Sequence, residues 1–363
     1  MQGMSSALSD LSRYPVVQAP MAGGASRPQL AAAVSGAGGL GFLAAGYKTA
    51  DGMYQEIKLM RGLTARPFGV NVFMPQNAAV DPVAVEVYAA QLAGEAKWYQ
   101  TALGAPDSVG GDDGFEAKLA ILLEDPVPVV SFTFGCPDPS VLDAFAAAGT
   151  LTIVTVTDVE EARAAQAAGA SAVCVQGIEA GGHQSTHRDD PQNDGAGAGL
   201  GLLSLVAQVR ESVGLPIIAA GGLMRGAQIA AVLAAGAESA QLGTAFLVCP
   251  ESGAHPLHKK ALTDPMFVRT ELTRAFSGRP ARGLVNRFIR EHGPYAPAAY
   301  PQVHHLTSAL RKAAAAAGDP QAMALWAGQG HRLARELPAA QLVEVLAAEL
   351  AEAQGTLLTE SGS

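Results

Sequence analysis

The sequence predicts an α/β fold, a (β/α)8 TIM barrel with a second, mainly helical domain, and three observations carry that reading. Short apolar runs alternate with Ala-rich helical runs along most of the chain, which demands a parallel sheet. Eight strand candidates appear, which favours a closed barrel over an open doubly wound sheet. The polar, Gly-rich segments fall where each strand hands over to its helix, the end at which such barrels build their sites.

The elements follow in order. Val16-Val17 leads into Gln18-Ala-Pro-Met-Ala-Gly23, and Pro28 opens a helix to about Ser35, a position where its missing N–H costs nothing. Gly39 to Leu43 reads as the second strand, Met53 to Arg61 as the second helix, and Phe68 to Phe73 as the third strand. An excursion from Gln76 to Asp125 breaks the rhythm before the strand Pro128 to Phe132 and the helix Pro139 to Ala148. Strand Leu151 to Thr155 then meets a helix from Asp158, an N-cap acceptor, to Ala168, with Gly169 as its C-cap. Strand Ala172 to Gln176 runs into a Gly-rich loop and the helix Leu202 to Ser212. Strand Pro216 to Ala219, helix Ala227 to Ala235 and strand Ser239 to Leu242 complete the barrel, taken as residues 1–255. From 256 to 363 helices dominate, at about Thr307 to Ala317, Pro320 to Gly330 and Ala339 to Gln354. They read as a unit covering one barrel mouth.

Composition narrows the function. The 363 residues carry 24 Lys+Arg against 33 Asp+Glu, a formal charge of −9, which disfavours nucleic acid or anionic membrane as partner. The mean hydropathy of +0.19 reflects Ala-rich helices and Val/Ile strands. No uninterrupted apolar stretch reaches the ~18 residues of a membrane span, and the polar segment Met1 to Tyr14 lacks a secretory h-region. Cys136, Cys174 and Cys249 stand apart, as in a reducing cytoplasm. A homodimer is compatible with this reading, though no residue argues for it.

Two loops carry the sharpest chemistry. Ala219-Ala-Gly-Gly222 and Gln241-Leu-Gly-Thr244 end the last two strands, where glycines let backbone N–H groups approach a phosphate. No Gly-x-Gly-x-x-Gly follows a strand, so the phosphate belongs to a cofactor held by the barrel itself. His183, after Glu179-Ala-Gly-Gly182, sits in a loop of small residues that gives an imidazole little to pack against. Its ordinary pKa near neutrality suits proton transfer or anion binding. Glu179 either orients a neighbour or joins a loop salt bridge. His183, His187, Asp189 and Asp190 resemble a metal cluster, but nothing in their order fixes a coordination geometry, and no metal is expected. His304-His305 precedes a helix and either faces the mouth or divides between surface and packing.

Taken together, Gln18-Ala-Pro-Met-Ala-Gly23, Ala31-Ala-Ala-Val-Ser-Gly-Ala-Gly-Gly-Leu-Gly41, Gly69-Val-Asn-Val-Phe73, Val130-Ser-Phe-Thr-Phe-Gly135 and Gln176-Gly-Ile-Glu-Ala-Gly-Gly-His183 resemble the nitronate monooxygenases, formerly 2-nitropropane dioxygenases. The likeness continues through Ala219-Ala-Gly-Gly222, Gln241-Leu-Gly-Thr-Ala-Phe246, Ser277-Gly-Arg-Pro-Ala-Arg-Gly283, Tyr300-Pro301 and Trp326-Ala-Gly-Gln-Gly330, nearly the whole chain. The resemblance implies one non-covalent FMN and oxidation of alkyl nitronates, such as propionate 3-nitronate, by O2 to a carbonyl compound and nitrite, through a one-electron-reduced flavin and without NAD(P)H. It implies FMN contacts at Ala19, Pro20, Met21, Asn71, Gln176, Gly181, Gly182, Gly221, Gly222, Gln241, Gly243 and Thr244, and His183 as the active-site histidine. Thr133, Tyr300 and His304 would line the substrate pocket.

The chain departs from the family pattern at three places. Thr133 stands where bacterial relatives carry a second histidine, and His304 and Ser308 stand where they carry Tyr and Lys. That removes positive charge from the substrate rim, part of which His304 is expected to restore. The alternative on the same barrel is an NAD(P)H-dependent flavin reductase acting on a quinone or an enoyl thioester.

Overall fold

The computed structural model of the chain describes residues 8, 10–76, 80–106, 112–189 and 199–360, with side chains up to residue 356. Strand β1 (Val16–Gln18) leads to α1 (Pro28–Gly36), β2 (Gly41–Ala44) to α2 (Ala50–Leu63), and β3 (Phe68–Phe73) to α3 (Pro82–Trp98) and α4 (Phe115–Glu124). β4 (Val129–Thr133) precedes α5 (Pro139–Ala147), and β5 (Leu151–Val156) precedes α6 (Val159–Ala168). β6 (Ala172–Gln176) runs through a two-residue strand β7 (Gly182–His183) to α7 (Leu202–Ser212). β8 (Ile217–Ala220) precedes α8 (Gly226–Ala234), and β9 (Ser239–Leu242) is followed by one turn, α9 (Thr244–Leu247).

Eight of these strands form one parallel sheet in the order β1-β9-β8-β6-β5-β4-β3-β2. Leu40 closes it, donating to Val16 O and accepting from Gln18 N, both at 2.9 Å, so the two edges meet as a barrel. Most strand positions on both faces are apolar, as in a covered parallel sheet. Val17, Phe42, Val129, Ile153, Cys174 and Ile218 fill the interior, while Val16, Val70, Val130, Val154, Val173 and Ile217 meet the helices. Each fully buried aliphatic side chain contributes roughly 1.5–3 kcal/mol through the water it releases.

After α9 come α10 (Pro256–Thr263), an antiparallel pair β10 (Thr270–Thr273) and β11 (Ala281–Leu284), α11 (Arg287–His292), α12 (Gln302–Ala316) and α13 (Ala339–Glu360). The mainly helical reading of this part passed over β10 and β11, and β11 also pairs with β7, beside His183. The helix expected over Pro320 to Gly330 is not there. Only a 3-10 turn, Pro320–Ala322, forms, because Trp326 lies extended against Gly283 of β11 and the glycines beyond it pack on the barrel loops.

Two further helices depart from a plain division of the chain. α13 packs against α8 and α1, and Leu342, Val343, Leu346 and Leu350 join the barrel core. It thereby takes the place in the ring that β9 leaves open. Within the excursion, α4 packs on α2 and β3, whereas α3 joins the second core with Phe276, Phe288 and Leu310. Tyr88 of α3 donates to Ala275 O at 2.7 Å, and Glu95 pairs with Arg287, which anchors α3 to the C-terminal part. Among the described residues no helix is long and apolar enough to cross a membrane.

Candidate active site

The strand registers bring the polar ends together. Asn71 lies beside Ser131, Gln176 beside Ala220 and Ala220 beside Gln241, so side chains from six of the eight barrel strands open on one cavity of about 370 Å³ at the C-terminal mouth. Its lining includes Ala19, Pro20, Met21, Asn71, Thr133, Gln176, Gly181, Gly182, His183, Gly221, Gly222, Gln241, Gly243, Thr244 and His304. The residues expected to contact cofactor or substrate therefore converge, with one exception. Tyr300 stands behind the wall, its ring centroid 5.8 Å from that of His183 and its hydroxyl donating to Tyr47 at 3.2 Å.

The glycine loops are held from below. Gly221 and Gly222 take φ of 138° and 68°, which a side chain rarely tolerates. A Cβ on Gly181 would sit 2.4 Å from Gly328 N, so the C-terminal run Trp326–Gly330 wedges directly under the loop that carries His183. Thr244 Oγ accepts from Gly328 N at 3.0 Å and keeps its own hydrogen to donate. Phe246 N, in the first turn of α9, donates to Gly243 O at 2.9 Å.

His183 is fixed by residues from both halves. Gln176 spans its loop, donating to His183 O at 3.1 Å and accepting from Ser185 N at 2.8 Å. The ring is caged by Phe134, Tyr300 and Trp326, with centroids 5.9, 5.8 and 5.5 Å away. Phe134 holds φ of 75°, a strained value for a bulky residue, and Arg279 stacks its guanidinium 4.1 Å from the Phe134 ring centre. His183 Nε2 lies 2.8 Å from Ser277 Oγ, whose own hydrogen goes to Arg279 O. That relay puts the imidazole proton on Nε2 and leaves Nδ1 as the acceptor. Burial, then the positive charges of Arg279 and Arg311, push its pKa down to about 3. The imidazole is therefore neutral at pH 7.

The expected metal-like group disperses. His187 Nε2 bonds Thr155 O at 2.9 Å, Asp189 pairs with Arg274 at 2.7 Å, and Asp190 lies outside the described residues. Glu179 caps α7, accepting from Leu202 N at 2.9 Å. The expectation that His304 restores positive charge is overturned. Burial, then the charge of Arg311, drives its pKa down to about 2, so it is a neutral ring stacked on Tyr47 at 4.3 Å.

Sequence reasoning missed four contributors. Arg311, one turn beyond Ser308, is the guanidinium in the lining. Tyr47 forms the opposite wall in a left-handed conformation, φ 65°, because its N–H reaches Asp113 at 3.0 Å. Asp113 in turn is held by the fully buried Lys118, which also donates to Ala45 O at 3.0 Å. Ser277 and Trp326 lay within recognised motifs, but nothing local linked them to His183. No described lining residue is acidic.

A barrel whose strand ends gather a glycine-lined cradle and a caged, neutral histidine in one pocket defines an α/β-barrel enzyme. The family model for nitronate monooxygenase matches residues 5–349. A nitronate monooxygenase of Pseudomonas aeruginosa is 42% identical over 353 residues, covering 93% of this chain and 96% of that one. Among solved structures, the nitroalkane oxidase from Streptomyces ansochromogenes is 74% identical with a TM-score of 0.94, covering 97% of this chain and all of that one. FabK from Thermotoga maritima is 29% identical with a TM-score of 0.73 over 99% of this chain and all of its own. The chain belongs to the nitronate monooxygenase family and is an oxidoreductase.

Proposed function

We propose that the pocket holds FMN and oxidises alkyl nitronates, such as propionate 3-nitronate, with O2 to a carbonyl compound and nitrite. One observation carries this reading: the lining holds the partly buried guanidinium of Arg311 and a neutral histidine but, among the described residues, no carboxylate. Such a site favours a substrate that arrives as an anion. It offers a poor base for a neutral nitroalkane, since an imidazole whose conjugate acid has a pKa of about 3 takes a carbon-bound proton weakly.

The residues present fit a phosphorylated flavin. A Cβ on Gly243 would project to within 3.5 Å of Ala19 and 3.7 Å of the Met21 sulfur, filling space the cofactor needs. Gly181, Gly182, Gly221, Gly222, Gly243 and Thr244 would hold the phosphate through N–H groups and one hydroxyl, and Ala19, Pro20 and Met21 would supply an apolar wall. Asn71, tied through Nδ2 to Ser131 O and Thr133 Oγ at 3.2 and 2.9 Å, turns its amide oxygen free to accept, and Gln176 and Gln241 flank the same space. When bound, FMN supplies the one-electron chemistry toward O2. The protein orients the nitronate, shields it behind Phe134, Tyr300 and Trp326, and presents His183 Nδ1 to it, with Thr133 and His304 shaping the pocket. Burial pushes the Cys174 and Cys249 thiols up to about 12, so neither competes as a nucleophile, and unpaired thiols suit the cytoplasm.

The test is anaerobic. Purified protein should release FMN on heating and change its visible spectrum when propionate 3-nitronate is added, then form nitrite once O2 is admitted. The second reading is an NAD(P)H-dependent flavin reductase on the same barrel. Flavin bleached by NADH and indifferent to nitronate would move the function to a reductase. Nitroethane turned over as fast as its nitronate would refute the account of His183.

A further inference from the structure

Arg311 is a partly buried cation that no carboxylate among the described residues neutralises. Its Nε donates to Thr307 Oγ at 3.1 Å and one terminal nitrogen donates to His304 O at 3.0 Å, lying 3.4 Å from His304 Nδ1. The other terminal nitrogen meets no acceptor among the described residues. No carboxylate pairs with the guanidinium either, whereas Arg274, Arg287 and Arg335 each have one. Arg279, the buried guanidinium beside the site, is occupied differently. Its nitrogens serve Gln184 O, Thr186 O and Gln76 Oε1, and its face covers Phe134. Arg311 alone contributes a guanidinium to the cavity wall.

Burial lowers the pKa of Arg311, yet a guanidinium keeps its charge in a protein interior. An uncompensated buried charge is costly, and such a charge persists where a ligand completes it. The neighbours agree. Tyr47 and neutral His304 form a flat stack at 4.3 Å, so the charge borders a closed aromatic pair. A guanidinium fork matches a planar group with two oxygens.

We propose that Arg311 is the anion anchor of the pocket, binding the planar two-oxygen anion of the substrate and so selecting nitronates over neutral nitro compounds. The proposal rests on the nitronate reading for the identity of the substrate. Arg311 fixes the anion's position, while His304 and Thr307 hold the fork in plane.

Nitrate, a planar oxyanion that cannot be oxidised here, tests it on the intact flavin-loaded enzyme by calorimetric titration. Arg311→Met should weaken nitrate ten- to a hundredfold, roughly the loss expected for a charge-assisted pair, and Arg311→Lys should recover part of it. The KM for nitronate should rise by a similar factor with kcat changed far less. Binding of 2-methyl-2-nitropropane, which has no ionisable C–H, should shift less than threefold. Ethyl nitronate and propionate 3-nitronate separate the two possible anions: loss on both assigns Arg311 to the nitronate group, and loss on the second alone assigns it to the carboxylate. Unchanged nitrate affinity in a variant with wild-type melting temperature would overturn the proposal, as would a wild type that ignores millimolar nitrate. Loss of flavin with nitrate binding intact would place Arg311 against the cofactor and also overturn it. Arg311-dependent nitrate binding in an enzyme that never oxidises nitronate would leave the anchor standing and remove the function.

Discussion

Replacing Ser277 with alanine tests the most specific link between the two halves of the chain. The hydroxyl accepts from His183 Nε2 at 2.8 Å and is itself buried, so its removal strands an imidazole N–H with no water to replace the partner. Losing a neutral hydrogen bond costs about 1 kcal/mol, and leaving a buried donor unsatisfied costs about 1–3 kcal/mol. The ring avoids part of that penalty by rotating, which takes Nδ1 away from the pocket. A misorientation of about 1.4 kcal/mol is tenfold in rate. Ser277→Ala should therefore lower kcat/KM for nitronate about tenfold, with flavin content unchanged and the urea midpoint only slightly lower. Ser277→Thr, which keeps the oxygen, should restore most of the activity. Nitrite release, measured alongside flavin absorbance, provides the assay. An alanine variant within twofold of wild type would refute the orienting role, and so would a loss traced wholly to released flavin.

Two other outcomes follow from charge and burial. His183 and His304 are held neutral, near 3 and 2 instead of 6.5, so between these values the unfolded chain binds more protons than the folded one. Their contribution to stability is complete above about pH 6.5 and drains away as pH falls, at up to about 1.4 kcal/mol per unit for each ring. Urea midpoints from pH 6.5 to 4.5 should fall, and His304→Gln should make that slope visibly shallower; an identical slope would count against a neutral His304. Lys118→Met strips the fully buried partner from Asp113, and breaking such a pair costs about 3 kcal/mol, less here because Asp113 is partly exposed. The melting temperature should drop, and the KM for nitronate should rise as Tyr47 leaves its turn. A stability loss without any change in KM would show that the clamp does not reach the pocket.

Much of this was legible in the residues. The bounds of β3, β6, β9 and α7 follow from apolar runs flanked by turn formers, because a covered parallel strand has little else to be. The glycine loops and His183 were readable for a related reason: small residues at a strand's end serve the site more than the core. What stayed hidden depends on distant segments. Arg311 looked like one cation on an Ala-rich helix, and only the fold shows that it faces the pocket with no carboxylate beside it. Tyr47 is set by Asp113 and Lys118, more than sixty residues on. The run Pro320 to Gly330 misled because alanine content suggests helix, whereas close contact with Gly181 and Gly222 decides its path.

The position of α13 bears on how the molecule is made. The last barrel strand ends at Leu242, but the helix that covers the gap between α8 and α1 begins at Ala339. Until that helix emerges from the ribosome, the apolar flank it covers, with Val34, Ile229 and Val232 among the core residues of that side, has no lid. The barrel cannot mature strand by strand behind the exit tunnel. It must wait, nearly complete and partly bare, for a helix that comes after every residue of the pocket wall, the last of which is Trp326. A chain cut before Ala339 would keep the whole pocket lining and lose the cover of the barrel's flank.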